Sequence, residues 1–279
     1  MVMPLSLPTV DSIQLASDVV AERANGVNAA FFNGIQQEWC LRIKQYIDAG
    51  GSPPAVSTWT AIQVKKKSFL NLYASPAANS AQGQMLQAMR KHDLTICPSC
   101  GEPGRPNTLD HYLPKDIYPH FCVTPVNLFP MCDACQLAKG TKVGNVQSPR
   151  FFIHPYFDTF IAEQVLRLDI YAPYDTPTFT LRIAEGLDPI SEHLLQCHVR
   201  ELEIERRYSS FFRNQHRRLL RLVGAMRKAG QDVEQTLTTF TQGATEPSLN
   251  SWDHVFYSSV IGNPALINYL TNAQLPQYL

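Results

Sequence analysis

Two Cys-x-x-Cys pairs, Cys97/Cys100 and Cys132/Cys135, constrain this chain more than any other feature. At that spacing one tight turn aims both thiolates at a single ion, and four such thiolates make a closed, tetrahedral zinc site. With 31 residues between the pairs, the metal would close a long loop, and its contents would be held by the ion more than by a large core. A secreted disulfide framework is not expected, because seven cysteines is an odd number and no basic segment followed by an apolar run opens the chain. Cys40, Cys122 and Cys197 read as ordinary buried thiols. Taken alone, the four cysteines equally suit a purely structural zinc ribbon.

Between the pairs lies a second cluster. Asp110 and His111 follow Leu109, and Asn127 sits in a second apolar run ahead of Pro130 and the second cysteine pair. Leu109 suits the end of a short strand. Neighbours on a strand point to opposite faces, so a twist or bulge is needed to bring Asp110 and His111 to one substrate. Residues 133–140, DACQLAKG, read as a helix ending near Gly140.

Strand, long loop, strand and helix, with a carboxylate–histidine pair on the first strand, resembles the HNH endonucleases, whose site is a ββα-metal fold. The resemblance rests on CPSC, LDHYLPK, the YPHF…NLFP run and CDAC…KG, about 50 residues of 279. It implies that His111 is the general base, that Asp110 binds a catalytic Mg2+ or Mn2+ ion, and that Asn127 braces the loop orienting the histidine. The family usually has His or Asn directly after the last zinc cysteine, as a second ligand of that ion. Here the residue is Gln136, whose amide oxygen would coordinate from a longer arm. The Cys97, Cys100, Cys132 and Cys135 zinc is structural in this picture. HNH cores inside helical flanks resemble the nuclease subunits of bacterial anti-phage defence systems that pair with an ATPase. DNA and an ATPase subunit are therefore the expected partners. An RNA-directed nuclease, or an inactive zinc-stabilised binding module in which Gln136 marks lost activity, are the alternatives.

Charge qualifies this reading. Twenty-four basic residues balance 24 acidic ones, whereas nucleic-acid affinity comes largely from phosphate neutralisation. The charge has to be concentrated on one face or supplied by a partner. Lys115, Lys139 and Lys142 lie near the cluster in sequence and are candidate phosphate contacts. Residues 191–230 carry nine basic residues against four acidic ones, and Arg213, Arg217 and Arg221 form a stripe spaced by four that is a candidate contact to the DNA backbone or to a partner, or else a solvated face. Lys65–Lys67 reads as a solvated helix face, with a phosphate-backbone contact as the alternative. No apolar run of about 18 residues is present, so no membrane span is expected, and the reading is cytoplasmic.

The fold class expected is α+β: a mainly helical protein around a central ββα-metal module with a four-cysteine zinc site and a following β-hairpin. Four regions result: a helical segment 1–92, the HNH module 93–150, an aromatic segment and hairpin 151–187, and a helical region 188–279. Phe31 and Phe32 before Asn33-Gly34 suggest an ordered segment ending in a turn. Helices are expected over 35–49, stopped by Gly50-Gly51, and over 58–73 and 77–92. Residues 164–171 and 178–184 alternate as an antiparallel hairpin. One long helix is expected from Asp188 to Gly230. Its apolar face is Leu195, Val199, Leu202, Tyr208, Phe212, Leu219, Val223 and Met226, at intervals of three, four or seven with one of six. Helical pieces follow over 233–240, 249–260 and 263–270. In the aromatic segment, His154 and Asp158 suit either accessory ligands and substrate contacts or a hydrogen-bonded proline turn.

Overall fold

In a computed structural model that describes residues 3–276, the chain is α+β and mainly helical, with two two-stranded antiparallel sheets. It divides into two compact units. One comprises Pro4–Leu94 and Arg105–Thr159; the other comprises Thr95–Gly104 and the chain from Phe160 onward, with Met3. These boundaries differ from the four sequence regions, because the first cysteine turn groups with the C-terminal helices and the rest of the central module with the N-terminal ones.

The first unit holds helices α1 (Ser12–Ala21), α2 (Ala29–Asp48), α3 (Lys66–Ala74) and α4 (Ala81–Arg90), strands β1 (Thr108–His111) and β2 (Leu128–Met131), and helix α5 (Asp133–Lys139). Asp11 starts α1 by accepting from the Ile13 and Gln14 amides at 2.9 and 2.7 Å. Phe32, Trp39 and Tyr46 of α2 are buried, and Trp39 meets Phe69 of α3 edge-on at 5.1 Å. The turn expected at Asn33-Gly34 does not form. Helix α2 runs through it, because burial of Phe32 on the same face as Trp39 overrides the local turn preference. The helix expected over 58–73 starts as a 3-10 stretch, Thr60–Lys65. Trp59 and Ile62 are both buried, and residues three apart eclipse one another in that tighter coil.

The second unit holds the hairpin β3 (Leu166–Tyr171) and β4 (Thr178–Ile183), then α6 (Pro189–Glu201), α7 (Ile204–Lys228), α8 (Val233–Gly243), α9 (Trp252–Ile261) and α10 (Pro264–Asn272). The hairpin pairs Leu166 with Ile183 through Tyr171 with Thr178, as its alternation requires. The expected long helix is broken at Glu203, which is left-handed at φ 51°. The six-residue interval in the apolar face, Leu202 to Tyr208, falls at this break. Leu202 and Ile204 are both fully buried, yet two residues apart on a continuous helix point about 200° apart. The left-handed residue turns both inward. Asn250, also fully buried, ties the hairpin's leading segment to the turn before α9: its Nδ2 donates to the Ile161 and Glu163 carbonyls and its Oδ1 accepts from Val165 N.

Three histidines of the first unit, His111, His120 and His154, are buried. Burial pushes His111 down to about 4 and His120 to about 3, and holds His154 well below the ordinary imidazole value. The unfolded chain binds these protons near pH 6.5 and the folded unit does not, so stability falls as pH drops below about 6.5 and is fully present above it. Denaturant unfolding should take up protons increasingly as pH falls from 7 to 5, with these three rings contributing nearly three of them at pH 5. An uptake near zero would show that these rings are already protonated in the folded protein.

Candidate active site

Strands β1 and β2 pair antiparallel, with Asp110 opposite Phe129 and His111 opposite Leu128. Helix α5 follows directly and packs on β1. Its N-terminus is capped by the Cys132 sulfur, which accepts from Cys135 N at 3.4 Å, and it ends at Gly140, whose φ of 51° suits a residue without Cβ. Gln136 and Lys139 are three apart and share a helix face. Both reach Asp110: Gln136 Nε2 donates to Oδ1 at 3.2 Å, and Lys139 Nζ lies 3.1 Å from Oδ2. Lys139 also donates to the His111 carbonyl at 2.6 Å. One ammonium therefore ties the Asp110 side chain to the His111 main chain. Lys139 is 1% exposed, so it is not the surface phosphate contact expected from sequence. Burial lowers its pKa and Asp110 opposes that shift.

His111 is also buried, with its ring edge-on to Tyr73 at 4.4 Å. Its Nε2 lies 2.9 Å from the Cys122 carbonyl, which can only accept. Nε2 therefore carries the hydrogen, and in the neutral ring Nδ1 holds the lone pair. Burial is the largest cause of the depressed pKa, about 4; the Cys122 carbonyl and Asp110 resist it, and Lys115 and Lys139 add to it.

The Cys122 carbonyl is itself placed by Asn127, which is 0% exposed. Asn127 Nδ2 donates to the Leu113 and Phe121 carbonyls at 3.2 and 3.1 Å, and Oδ1 accepts from Leu113 N at 2.8 Å and from the Tyr46 hydroxyl at 3.1 Å. Both ends of the loop that follows β1 are thus clamped by one side chain. Contacts thus join Asp110 to Gln136 and Lys139 and Lys139 to the His111 carbonyl, while the His111 ring meets the loop that Asn127 holds.

The aromatic segment resolves differently from a ligand site. His154 is fully buried, and Asp158 accepts from the Arg150 guanidinium and, at 2.6 Å, from His154 N. Neither is free to act as an accessory ligand. Lys115 is half-buried, 4.0 Å from Asp116, and Lys142 is exposed. Arg213, Arg217 and Arg221 are exposed on α7 and have no carboxylate at ion-pair distance among the described residues. Their neighbours are engaged: Arg207 pairs with Glu102 at 2.5 Å, and Arg227 donates to the carbonyls at the end of α10.

The sulfurs of Cys97, Cys100, Cys132 and Cys135 lie within 4.8 Å of one another. Four thiolates about 2.3 Å from one ion stand roughly 3.8 Å apart, so the set fits a tetrahedral zinc with no open position. The Cys97–Gly101 turn is held through its carbonyls. Pro98 accepts from Met3 N, Ser99 from His198 Nε2 at 2.6 Å, Cys100 from the Trp252 indole at 2.6 Å, and Gly101 from Trp252 N. Arg207 lies 3.7 Å from the Cys100 sulfur. The parts played by His198, Arg207, Trp252 and Tyr46 carry no sequence signal, because each depends on a partner at least 81 residues away.

No family model matches this chain, and no solved structure matches it. Over 119 residues it is 33% identical to Protein ea31 of Escherichia phage lambda, a stretch covering 40% of this chain and 39% of the phage protein. The match therefore spans about two-fifths of that relative.

Metal analysis of protein purified without added metal should find about one zinc per chain, lost on changing Cys97 and Cys132 to Ser together with cooperative unfolding of the knuckle. Folded protein with no zinc would remove the site. Replacing Lys139 with Ala leaves the buried Asp110 carboxylate without its counter-charge and the His111 carbonyl without this donor, and should cost about 3–5 kcal/mol in denaturant unfolding. A change below about 1 kcal/mol would mean that water already reaches Asp110.

Proposed function

We propose that the chain is a metal-dependent HNH-type endonuclease that hydrolyses phosphodiester bonds in DNA. We further propose that it serves in the cytoplasm as the nuclease component of a bacterial anti-phage defence system, beside an ATPase subunit. The observation that carries the nuclease reading is the His111 ring: buried, neutral, its Nε2–H fixed on the Cys122 carbonyl, and adjacent to a carboxylate on a ββα frame. The defence role and the ATPase rest on the resemblance in residues 97–140 and the helical flanks.

A phosphodiester needs an activated water, neutralisation of its charge and help for the leaving oxygen. His111 Nδ1 takes a proton from water as the water oxygen bonds to phosphorus, and the bond to the 3′ oxygen breaks. The Cys122 carbonyl stabilises the imidazolium that results, through the Nε2 hydrogen. Asp110 Oδ2 is buried and forms no hydrogen bond of good geometry, although Lys139 stands nearby. A divalent ion there would share the carboxylate with the Lys139 ammonium, which lies 3.1 Å from the same oxygen. Asp110, with Gln136 turned to present its oxygen, would hold Mg2+ or Mn2+. Such an ion supplies charge neutralisation at the phosphate and the leaving oxygen. Lys139 keeps Asp110 and the His111 main chain in fixed relation. Lys115 and Lys142 are the candidate contacts to flanking phosphates, and the Arg213, Arg217 and Arg221 stripe is the candidate backbone contact of the other unit.

Plasmid and structured RNA, each with and without magnesium or manganese, separate DNA cleavage from RNA cleavage and from an inactive binding module. His111→Ala and Asp110→Ala should each abolish cleavage while zinc content is kept; full cleavage by His111→Ala would end the HNH reading. A base must be neutral, and with its pKa at about 4 His111 remains so well below neutral pH. The rate should therefore show no acid limb from this base between pH 7 and pH 5. A limb near the ordinary imidazole value of about 6.5 would mean that the ring is solvated in the working enzyme. Changing Arg213, Arg217 and Arg221 together to Ala should lower the salt slope of DNA binding by roughly three. An unchanged slope would assign the stripe to another partner.

A further inference from the structure

The Asn127 clamp has a partner set of its own that the nuclease reading does not use. Tyr46 is fully buried in α2, and its hydroxyl donates to Asn127 Oδ1 at 3.1 Å. The same hydroxyl meets His154 Nε2 at 2.9 Å. His154 Nδ1 accepts from Tyr156 N at 3.3 Å, so the hydrogen of the neutral ring is on Nε2 and points at Tyr46. The Tyr46 hydroxyl then accepts from His154 Nε2, which also has the Val126 carbonyl as an acceptor nearby, and donates to Asn127 Oδ1. The phenol ring is fixed as well, stacked obliquely on Phe121 at 4.9 Å, and Phe121 is the residue whose carbonyl Asn127 holds.

Gly51 completes the arrangement. The turn that ends α2 passes over the His154 ring, and a Cβ on Gly51 would stand 2.8 Å from Nε2. The helix stop at Gly50-Gly51 is therefore also the space that His154 occupies. Arg150 and Asp158 hold the other side, Asp158 accepting from His154 N and from Arg150.

We propose that Tyr46 and His154 are positioning residues, forming a directed relay His154→Tyr46→Asn127 that sets the Cys122 carbonyl against His111. Neither touches the reacting atoms. The effect on rate rests on the nuclease reading; the effect on the loop rests on geometry alone.

The test uses the full zinc-loaded chain. Tyr46→Phe keeps the ring and removes the hydroxyl. His154→Gln keeps a donor, and His154→Phe removes it. Amide exchange at Leu113, which donates to the same Asn127 oxygen, should become about fivefold to tenfold faster in Tyr46→Phe and His154→Phe, the change expected for one lost hydrogen bond. His154→Gln should restore much of the protection. The 15N signals of His111 should lose their fixed Nε2–H pattern in the same two variants, and cleavage should fall about tenfold in kcat with KM unchanged. Unchanged Leu113 exchange and His111 tautomer in Tyr46→Phe would overturn the relay. Faster exchange with unaltered kcat would overturn its positioning role. Parent protein that cleaves nothing, while the exchange pattern follows the prediction, would overturn the nuclease reading and leave the relay standing.

Discussion

The first unit depends on one side-chain amide. Asn127 has two donor hydrogens and an acceptor oxygen, and all are used: two bonds given, to Leu113 and Phe121, and two received, from Leu113 N and Tyr46. A fully buried amide costs several kcal/mol when unsatisfied, so the loop that satisfies it is held to one shape. That shape puts the Cys122 carbonyl within 2.9 Å of His111, and the carbonyl in turn fixes which ring nitrogen carries the hydrogen. The chemical state of the candidate base is thus set by a residue that never touches it.

Asp110 and His111 are held from different elements. Alternation sends their side chains to opposite faces of β1, and no bulge interrupts the pairing with β2. Helix α5 serves one face through Gln136 and Lys139, and the loop after β1 serves the other through Cys122. Lys139 couples the two by binding the Asp110 carboxylate and the His111 carbonyl together. A lysine at this depth survives because both its contacts are acceptors; removal of either leaves a charge with no solvent to turn to.

Much of this was legible in the residues themselves. The cysteine spacing announced the cluster that the four sulfurs form, and alternation placed the hairpin to within two residues. What local pattern could not carry was any choice made by a distant partner. The Asn33-Gly34 pair looks like a turn until Phe32 must be buried. The apolar face of residues 188–230 looks continuous until the six-residue interval is matched to the left-handed Glu203. His154 and Asp158 resemble ligands in sequence because ligands and hydrogen-bonded structural groups use the same atoms. Only burial and partner geometry separate the two, and here they make His154 a donor to Tyr46.

Net charge misleads for a related reason. A balance of zero counts every arginine equally, but in the second unit several are spent internally. Arg207 serves Glu102 and the Cys100 sulfur, Arg227 closes the end of α10, and Arg200 and Arg206 lie on neighbouring glutamates. Arg213, Arg217 and Arg221 are among those that remain, four apart on one exposed face, without a carboxylate at ion-pair distance among the described residues. Exposed pairs such as Arg206 with Glu203 are screened and add little field at a distance, whereas three unopposed guanidinium groups on one face sum. A neutral chain can therefore present a cationic face, and the quantity that bears on phosphate binding is the unpaired charge on that face, not the total.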